Sequence, residues 1–172
     1  MDPRVLATMA DLQAMLAAEQ RAAADLNANY DALQQIRALR KQLKALKDSG
    51  PDAVRGVAAQ VEDQLGKLES GTAGKTPAPG VSAARGVATV HSWLNQVYGT
   101  LDSADAAPTV QALAMLSELE KVSAQQLNEI KQIQAGPLAE LNQKLRQAGA
   151  KEVSQSYDVG PEAAQGAERS EE

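Results

Sequence analysis

The chain has 172 residues, with no cysteine, no phenylalanine, one histidine and aromatic side chains at 2% of positions. This composition excludes a disulfide framework, a thiolate zinc site, a cysteine nucleophile and any site that needs two imidazoles. Six acidic residues and one basic residue lie between Glu152 and Glu172, so this segment carries the whole net charge of −5. The neutral remainder argues against nonspecific nucleic-acid binding, which needs a surplus of positive charge.

The first predicted helix begins after Thr8, whose hydroxyl is a suitable N-cap, and ends at Gly50–Pro51. Asp11 stands in the capping-box position three residues after the cap. At about 40 residues and ~1.5 Å each, this helix is long for a compact domain. Its expected apolar stripe slips by one residue after Leu33 and comprises Met9, Leu12, Leu16, Ala23, Leu26, Tyr30 and Leu33, then Ile36, Leu39, Leu43 and Leu46.

Two shorter helices are predicted next. The second runs over about 52–69 and is followed by a glycine- and proline-rich loop at 70–80. The third runs over about 82–101 and carries the most regular heptad pattern of the chain. The residues of that heptad are Val87, Val90, Leu94, Val97 and Leu101.

A turn over 102–108 leads into a fourth helix of about 40 residues that ends at Gly149. Asp105 is suited to an Asx-type turn, Pro108 fixes the entry angle, and Thr109 is the expected N-cap. We interpret these three residues and Ser103 as a structural chain-reversal motif. Gly136–Pro137 lies inside the fourth helix and predicts a kink or a short break there.

These elements predict an all-α fold, an elongated antiparallel bundle of two long and two short helices with a disordered acidic C-terminal tail. The two short helices together match one long helix in length. They therefore run end to end as an interrupted middle helix, which we favour, or fold back as a hairpin. The expected boundaries are 8–149 for the bundle and 150–172 for the tail.

The sequence contains little that indicates catalysis. His91 has neither a nucleophile nor a second ligand near it in sequence, so we expect a structural role. Trp93 and Tyr98 flank the heptad of the third helix and are expected to thicken the core rather than to bind a ligand. The acid pairs Glu62–Asp63 and Glu118–Glu120 do not share a helix face. We expect a protein that is not an enzyme and that has no catalytic residue, no cofactor and no metal.

The first helix also carries a basic cluster with no acid before Asp48. It is a candidate interaction face for an anionic surface. The alternative, which we favour, is a solvated face whose cations lie near the helix C-terminus, where carbonyl dipoles stabilise them. The members of this basic cluster are Arg37, Arg40, Lys41, Lys44 and Lys47.

No apolar run in the chain approaches the roughly 20 residues of a membrane-spanning helix. The N-terminus also lacks the charged and then apolar layout of a signal peptide. We therefore expect no integral membrane segment and no signal peptide in this chain.

The segment Ser103-Ala104-Asp105-Ala106-Ala107-Pro108-Thr109-Val110-Gln111 resembles the C-terminal helical region of bacterial sortilin-like proteins. Other segments resemble the same region in the same order. They are Asp2-Pro3-Arg4-Val5, Ile36-Arg37-Ala38-Leu39-Arg40-Lys41-Gln42-Leu43, Leu138-Ala139-Glu140-Leu141-Asn142 and Arg146-Gln147-Ala148-Gly149. The resemblance covers residues 2–153, whereas the loop at 70–80 and the acidic tail have no counterpart in it.

The sortilin-like proteins are large, secreted BNR-type β-propellers that are often labelled glycosyl hydrolases. The resemblance implies that residues 1–7 are a linker from an upstream β domain and that the chain is a detached C-terminal module, secreted or periplasmic. A hydrolase label would belong to the propeller, because activity resides in a site.

We therefore expect a non-catalytic helical module. Its partner would be a protein, either its own propeller or another chain, with self-association through helices as a further route. The alternative is a peripheral bundle that binds membranes or other anionic surfaces.

Overall fold

The computed structural model describes residues 7–71, 85–103 and 107–155. Within these ranges the chain forms five α-helices and one π-helical turn, and it contains no strand apart from an isolated β-bridge. The all-α prediction is confirmed. The elements are α1 (Met9–Ser49), α2 (Asp52–Ser70), α3 (Val87–Asp102), α4 (Val110–Ile133), the π turn (Gln134–Leu138) and α5 (Ala139–Gln147).

Helix α1 begins and ends where the sequence predicts. The Thr8 hydroxyl accepts a hydrogen bond from the Asp11 N–H at 3.2 Å, and the Asp11 carboxylate accepts one from the Thr8 N–H at 2.8 Å. These reciprocal bonds form the expected capping box. At the other end the Gly50 N–H donates to the Leu46 carbonyl at 2.8 Å, and Pro51 then opens α2. The 41 residues of α1 span about 60 Å.

The bundle has three layers, and α1 contacts the middle layer along its length and the third layer through α4. Helix α2 packs on the C-terminal half of α1 and α3 on its N-terminal half, while α4, the π turn and α5 form the third layer in series. The two short helices therefore continue each other as an interrupted middle helix, as favoured from their lengths. One apolar cluster fills each half of the bundle.

The interruption of the middle helix brings the end of α2 against the residues that precede α3. Gly71 and Arg85 form an antiparallel β-bridge, and Gly86 lies directly against the end of α2. A Cβ atom at Gly86 would lie 2.3 Å from both the Glu69 carbonyl oxygen and the Gly71 nitrogen. Only glycine fits this crossing. The predicted loop at 70–80 and the predicted start of the third helix at Ser82 lie largely outside the described residues.

The expected break at Gly136–Pro137 takes the form of a widened turn. Pro137 has no N–H to donate to the carbonyl four residues earlier. The chain accommodates this by forming one π-helical turn, Gln134–Leu138, and then resumes α-helical geometry. The fourth predicted helix therefore continues through the proline.

Helix α1 buries a different stripe in its N-terminal half from the predicted one. Met9, Leu16 and Tyr30, which we assigned to the apolar stripe, are 65%, 53% and 47% exposed. The sequence here is rich in alanine and offers two neighbouring faces, and close packing against α3 and α4 selects the face with small side chains. The buried residues of this half are Met15, Ala18, Ala22 and Asn29. From Leu33 onward the predicted stripe is confirmed at Leu33, Ile36, Leu39 and Leu43.

The bundle also ends later than predicted. Val153 is buried, and the Asn142 side chain accepts its N–H at 2.8 Å and donates to its carbonyl at 3.1 Å. The boundary at 150 is therefore wrong for residues up to Gln155, because amide side chains of α1 and α5 satisfy the backbone of this segment. The rest of the predicted tail, residues 156–172, lies outside the described residues.

Candidate interaction site

The basic cluster of α1 lies against two acids of α2 that sequence analysis did not connect with it. Arg40 donates to Glu62 at 2.8 Å and to Glu69 at 2.5 Å, and Arg37 donates to Glu69 at 2.9 Å. The hydrogen bonds to Glu62 and Glu69 raise the pKa of Arg40. Burial raises the pKa of the Glu69 carboxyl, but the bonds from Arg37 and Arg40 outweigh this effect and hold it below its ordinary value. Two of the five basic residues are therefore neutralised within the bundle.

The lysines of the basic cluster point outward. Lys44 Nζ lies 4.0 Å from a Glu62 oxygen, a weak contact for an exposed pair. Lys41 and Lys47 are exposed and make no ion pair with any described residue. Arg37, Arg40, Lys41 and Lys44 line one shallow depression together with Glu69. The structure thus brings four of the five basic residues together, with an acid among them.

The predicted turn motif is described in part. The Thr109 hydroxyl accepts a hydrogen bond from the Ala112 N–H at 3.1 Å, which confirms its role as the N-cap of α4. Ser103 ends α3, and its hydroxyl donates to the Thr100 carbonyl at 3.1 Å. Pro108 is half-buried before the cap. Asp105 lies outside the described residues.

The aromatic residues of α3 lie on its flanks. His91 is half-buried, with its ring centroid 6.1 Å from that of Tyr30 on α1. Burial lowers the pKa of His91, and the charge of Arg37 lowers it further, so the imidazole is neutral at pH 7. The Trp93 ring lies 5.1 Å from the Arg85 guanidinium, a cation–π distance. Trp93 and Tyr98 both pack against the core cluster of their half of the bundle.

A polar layer between the two apolar clusters was not anticipated. Asn29 on α1 and Ser123 and Gln126 on α4 are almost wholly buried. The Gln126 amide donates to the Arg85 carbonyl at 2.5 Å, two residues before α3 begins. Both polar atoms of the Asn29 side chain are buried without a partner among the described residues. The sequence signal for this layer is Asn29, because the stripe that α1 buries has an asparagine at this core position.

No protein-family model, curated protein or solved structure matches the chain. Among the described residues no group of three or more acids and histidines is placed to hold a metal ion. No helix in the described part of the chain is long and apolar enough to cross a membrane.

The feature that points most directly to binding is the face of α1 that the bundle leaves uncovered. Met9, Leu16, Ala23 and Tyr30 follow one another at intervals of seven residues, which places them on one side of the helix. Leu12 and Leu26, at the heptad positions between them, are half-buried. We name the four residues Met9, Leu16, Ala23 and Tyr30 the open stripe.

Proposed function

We propose that this chain is a non-catalytic helical module that binds a partner protein, and that the open stripe is its contact face. The observation that carries the proposal is the exposure of three large apolar side chains at heptad spacing, Met9, Leu16 and Tyr30. Single exposed apolar residues are common on protein surfaces, but an ordered row of them marks a contact face.

The dimensions of the open stripe suit a helical partner. From Met9 to Tyr30 it extends about 30 Å along α1. The contact between Tyr30 and His91 places it at the border with α3. Tyr98 follows His91 by seven residues and so falls on the same side of α3. An amphipathic helix laid between α1 and α3 would complete a four-helix arrangement and cover this apolar row.

The resemblance to the sortilin-like C-terminal region suggests which protein supplies the partner surface. The chain would be the C-terminal module of a secreted or periplasmic propeller protein. It would brace or present the propeller through a helical element that joins the two. Any hydrolase activity would then belong to the propeller.

The test is a titration between this chain and the polypeptide encoded directly upstream of Met1, produced separately, with affinity measured by calorimetry. Leu16→Glu places a charge in the open stripe and is expected to weaken binding at least about tenfold, since burying an unpaired charge is costly. Ala17→Glu is the matched control, because Ala17 is exposed about 100° around the same helix. Equal affinity of the two variants, or an upstream frame without a β domain, would contradict the proposal.

The second candidate is binding to an anionic surface through the basic cluster, favoured by the outward position of Lys41 and Lys47. The ion pairs of Arg37 and Arg40 with Glu62 and Glu69 count against it, because they already compensate two of the five cations. Flotation with anionic liposomes at two salt concentrations separates the candidates. Salt-sensitive flotation that is lost in Lys41→Glu would support the surface-binding role.

A further inference from the structure

The polar layer between the two apolar clusters has a further member on α1. Asp25 is half-buried and stands three residues after Ala22 and four before Asn29, the spacing of one helix face. Its Oδ2 atom is buried and meets no donor among the described residues. Arg21, one turn earlier, donates to Glu120 instead, at 2.7 and 2.6 Å. Two successive inward positions of α1 are therefore polar.

Helices α1 and α4 run side by side in the same direction, and their register places the polar side chains of one against those of the other. Arg21 pairs with Glu120 across a sequence separation of 99 residues. Seven residues further along both helices, Ala28 and Leu127 line one depression with the same separation. A residue of α1 is therefore level with the residue of α4 that is numbered 99 higher.

This register arranges four polar side chains of the layer in two pairs. Asn29 is two positions from the level of Gln126, about 3 Å along the helix axis. Asp25 is one position from the level of Ser123, about 1.5 Å. No direct hydrogen bond joins either pair, and the buried atoms without a partner among the described residues are both polar atoms of Asn29, Gln126 Oε1, Asp25 Oδ2 and Ser123 Oγ.

These atoms need a partner that is not bulk solvent. Asn29, Ser123 and Gln126 are at most 1% exposed. A buried polar atom without a hydrogen bond costs free energy, and internal water is the usual partner where the protein supplies none. One buried water molecule typically makes about three hydrogen bonds to such groups.

We propose that the polar layer is a binding site for internal water, with one molecule between Asn29 and Gln126 and a second between Asp25 and Ser123. The unpartnered atoms include donors, Asn29 Nδ2 and the Ser123 hydroxyl, as well as the acceptors Asn29 Oδ1, Gln126 Oε1 and Asp25 Oδ2. Water both donates and accepts, so it matches this mixture. A cation would face the Nδ2 donor, and an anion would face the Asp25 carboxylate.

The proposed site adjoins the interruption of the middle helix. The Gln126 amide donates to the Arg85 carbonyl, two residues before α3 begins, so its Oε1 is the atom left for water. Water bridges from α1 to α4 hold the two helices in register at the level where the middle layer supplies a non-helical backbone.

The first water is tested by nuclear magnetic resonance of the isotope-labelled full chain. The Nδ2 protons of Asn29 should show a cross-peak to water with the sign of slowly exchanging internal water, in rotating-frame spectra that separate it from proton exchange. Asn142 is the matched control, because its amide is buried but bonded directly to the Val153 backbone. A peak at Asn29 no stronger than the one at Asn142 would overturn the proposal.

Ser123→Ala separates bound water from magnetisation relayed by the serine hydroxyl, whose proton exchanges with solvent. The Asn29 peak should persist in this variant, because the water beside Asn29 is shared with Gln126. Loss of the peak would show that it was relayed, and would overturn the first water.

The second water is tested by a double-mutant cycle of Asp25→Ala and Ser123→Ala, measured by urea denaturation. The two side chains share no direct bond, so their effects on the unfolding equilibrium constant multiply unless a ligand couples them. With a shared water, the constant of the double variant should differ at least about fivefold from that product. Agreement with the product would overturn this water. Circular dichroism establishes that each variant is folded.

Discussion

At the scale of single residues, the heptad of α3 has its centre at Leu94, which is fully buried between α1 and α4. Leu94→Ala removes three carbons from this site and leaves a cavity. We expect the free energy of unfolding to fall by about 2–5 kcal/mol, measured by urea denaturation.

His91→Gln is the companion variant, because His91 lies beside the α3 heptad and its ring is close to Tyr30 of α1. It removes a half-buried imidazole whose Nδ1 has no partner among the described residues, so the loss should stay below about 1 kcal/mol. If Leu94→Ala leaves the free energy of unfolding unchanged, the heptad of α3 does not face a core. Loss of a hydrolytic activity in His91→Gln, with the fold intact, would contradict the non-catalytic role.

Residue-scale features were predictable where they depend on neighbours in sequence. The Thr8–Asp11 capping box and the Thr109 cap are local patterns, and both are confirmed. The partners of Arg40 were not predictable, because Glu62 and Glu69 meet it only through the relative register of α1 and α2. The sequence therefore predicts that this cluster is basic, but it does not predict that Glu62 and Glu69 pair with part of it.

At the scale of helices and their connections, two glycines near the middle helix should respond to alanine in opposite ways. A methyl group at Gly86 meets backbone atoms of the α2 terminus, which cannot move aside without shifting the helix. Gly86→Ala should therefore destabilise the protein by about 1–3 kcal/mol. Gly99 lies exposed within α3, and a Cβ atom there meets nothing within 4 Å, so Gly99→Ala should stabilise it by about 0.5–1 kcal/mol.

Thermal or urea unfolding of the two glycine variants, each against the parent chain, measures this difference. If Gly86→Ala is as stable as the parent, α2 and α3 do not meet at the described crossing. If Gly99→Ala is destabilising, the exposed face of α3 is covered in solution.

Helix existence was easier to predict than helix orientation. The lengths of the two short helices indicated the interrupted middle helix because their sum matches a long one. The rotation of α1 was missed over its first half, since its alanines make two adjacent faces almost equally apolar. Periodicity distinguishes faces only where side chains differ strongly in size and polarity, as they do from Leu33 onward.

At the scale of the whole molecule, the ion pairs between the packed helices α1 and α2 make stability depend on pH. The pKa of Glu69 is lower in the folded protein than its ordinary value, so the ionised carboxylate stabilises the fold. This contribution is present above the ordinary pKa and is lost as pH falls through the folded value. Glu69→Gln should cost about 1 kcal/mol at pH 7 and flatten the loss of stability below pH ~4.5.

Urea unfolding of parent and variant at a series of pH values tests this linkage. Glu140→Gln, an exposed change on α5, is the control and should leave the profile unaltered. A parallel shift of the Glu69→Gln curve at every pH would show that the carboxylate does not titrate with folding.

The crossing of Gly71, Arg85 and Gly86 has a consequence for how such a chain can change over evolutionary time. Because Gly71 and Arg85 are paired by a β-bridge, the spacing between α2 and α3 is set at these two residues, whatever the number of residues between them. The entropic penalty of closing a loop grows only with the logarithm of its length. Additional residues, or an entire foreign domain with neighbouring termini, are therefore accommodated at this point while the three layers keep their register.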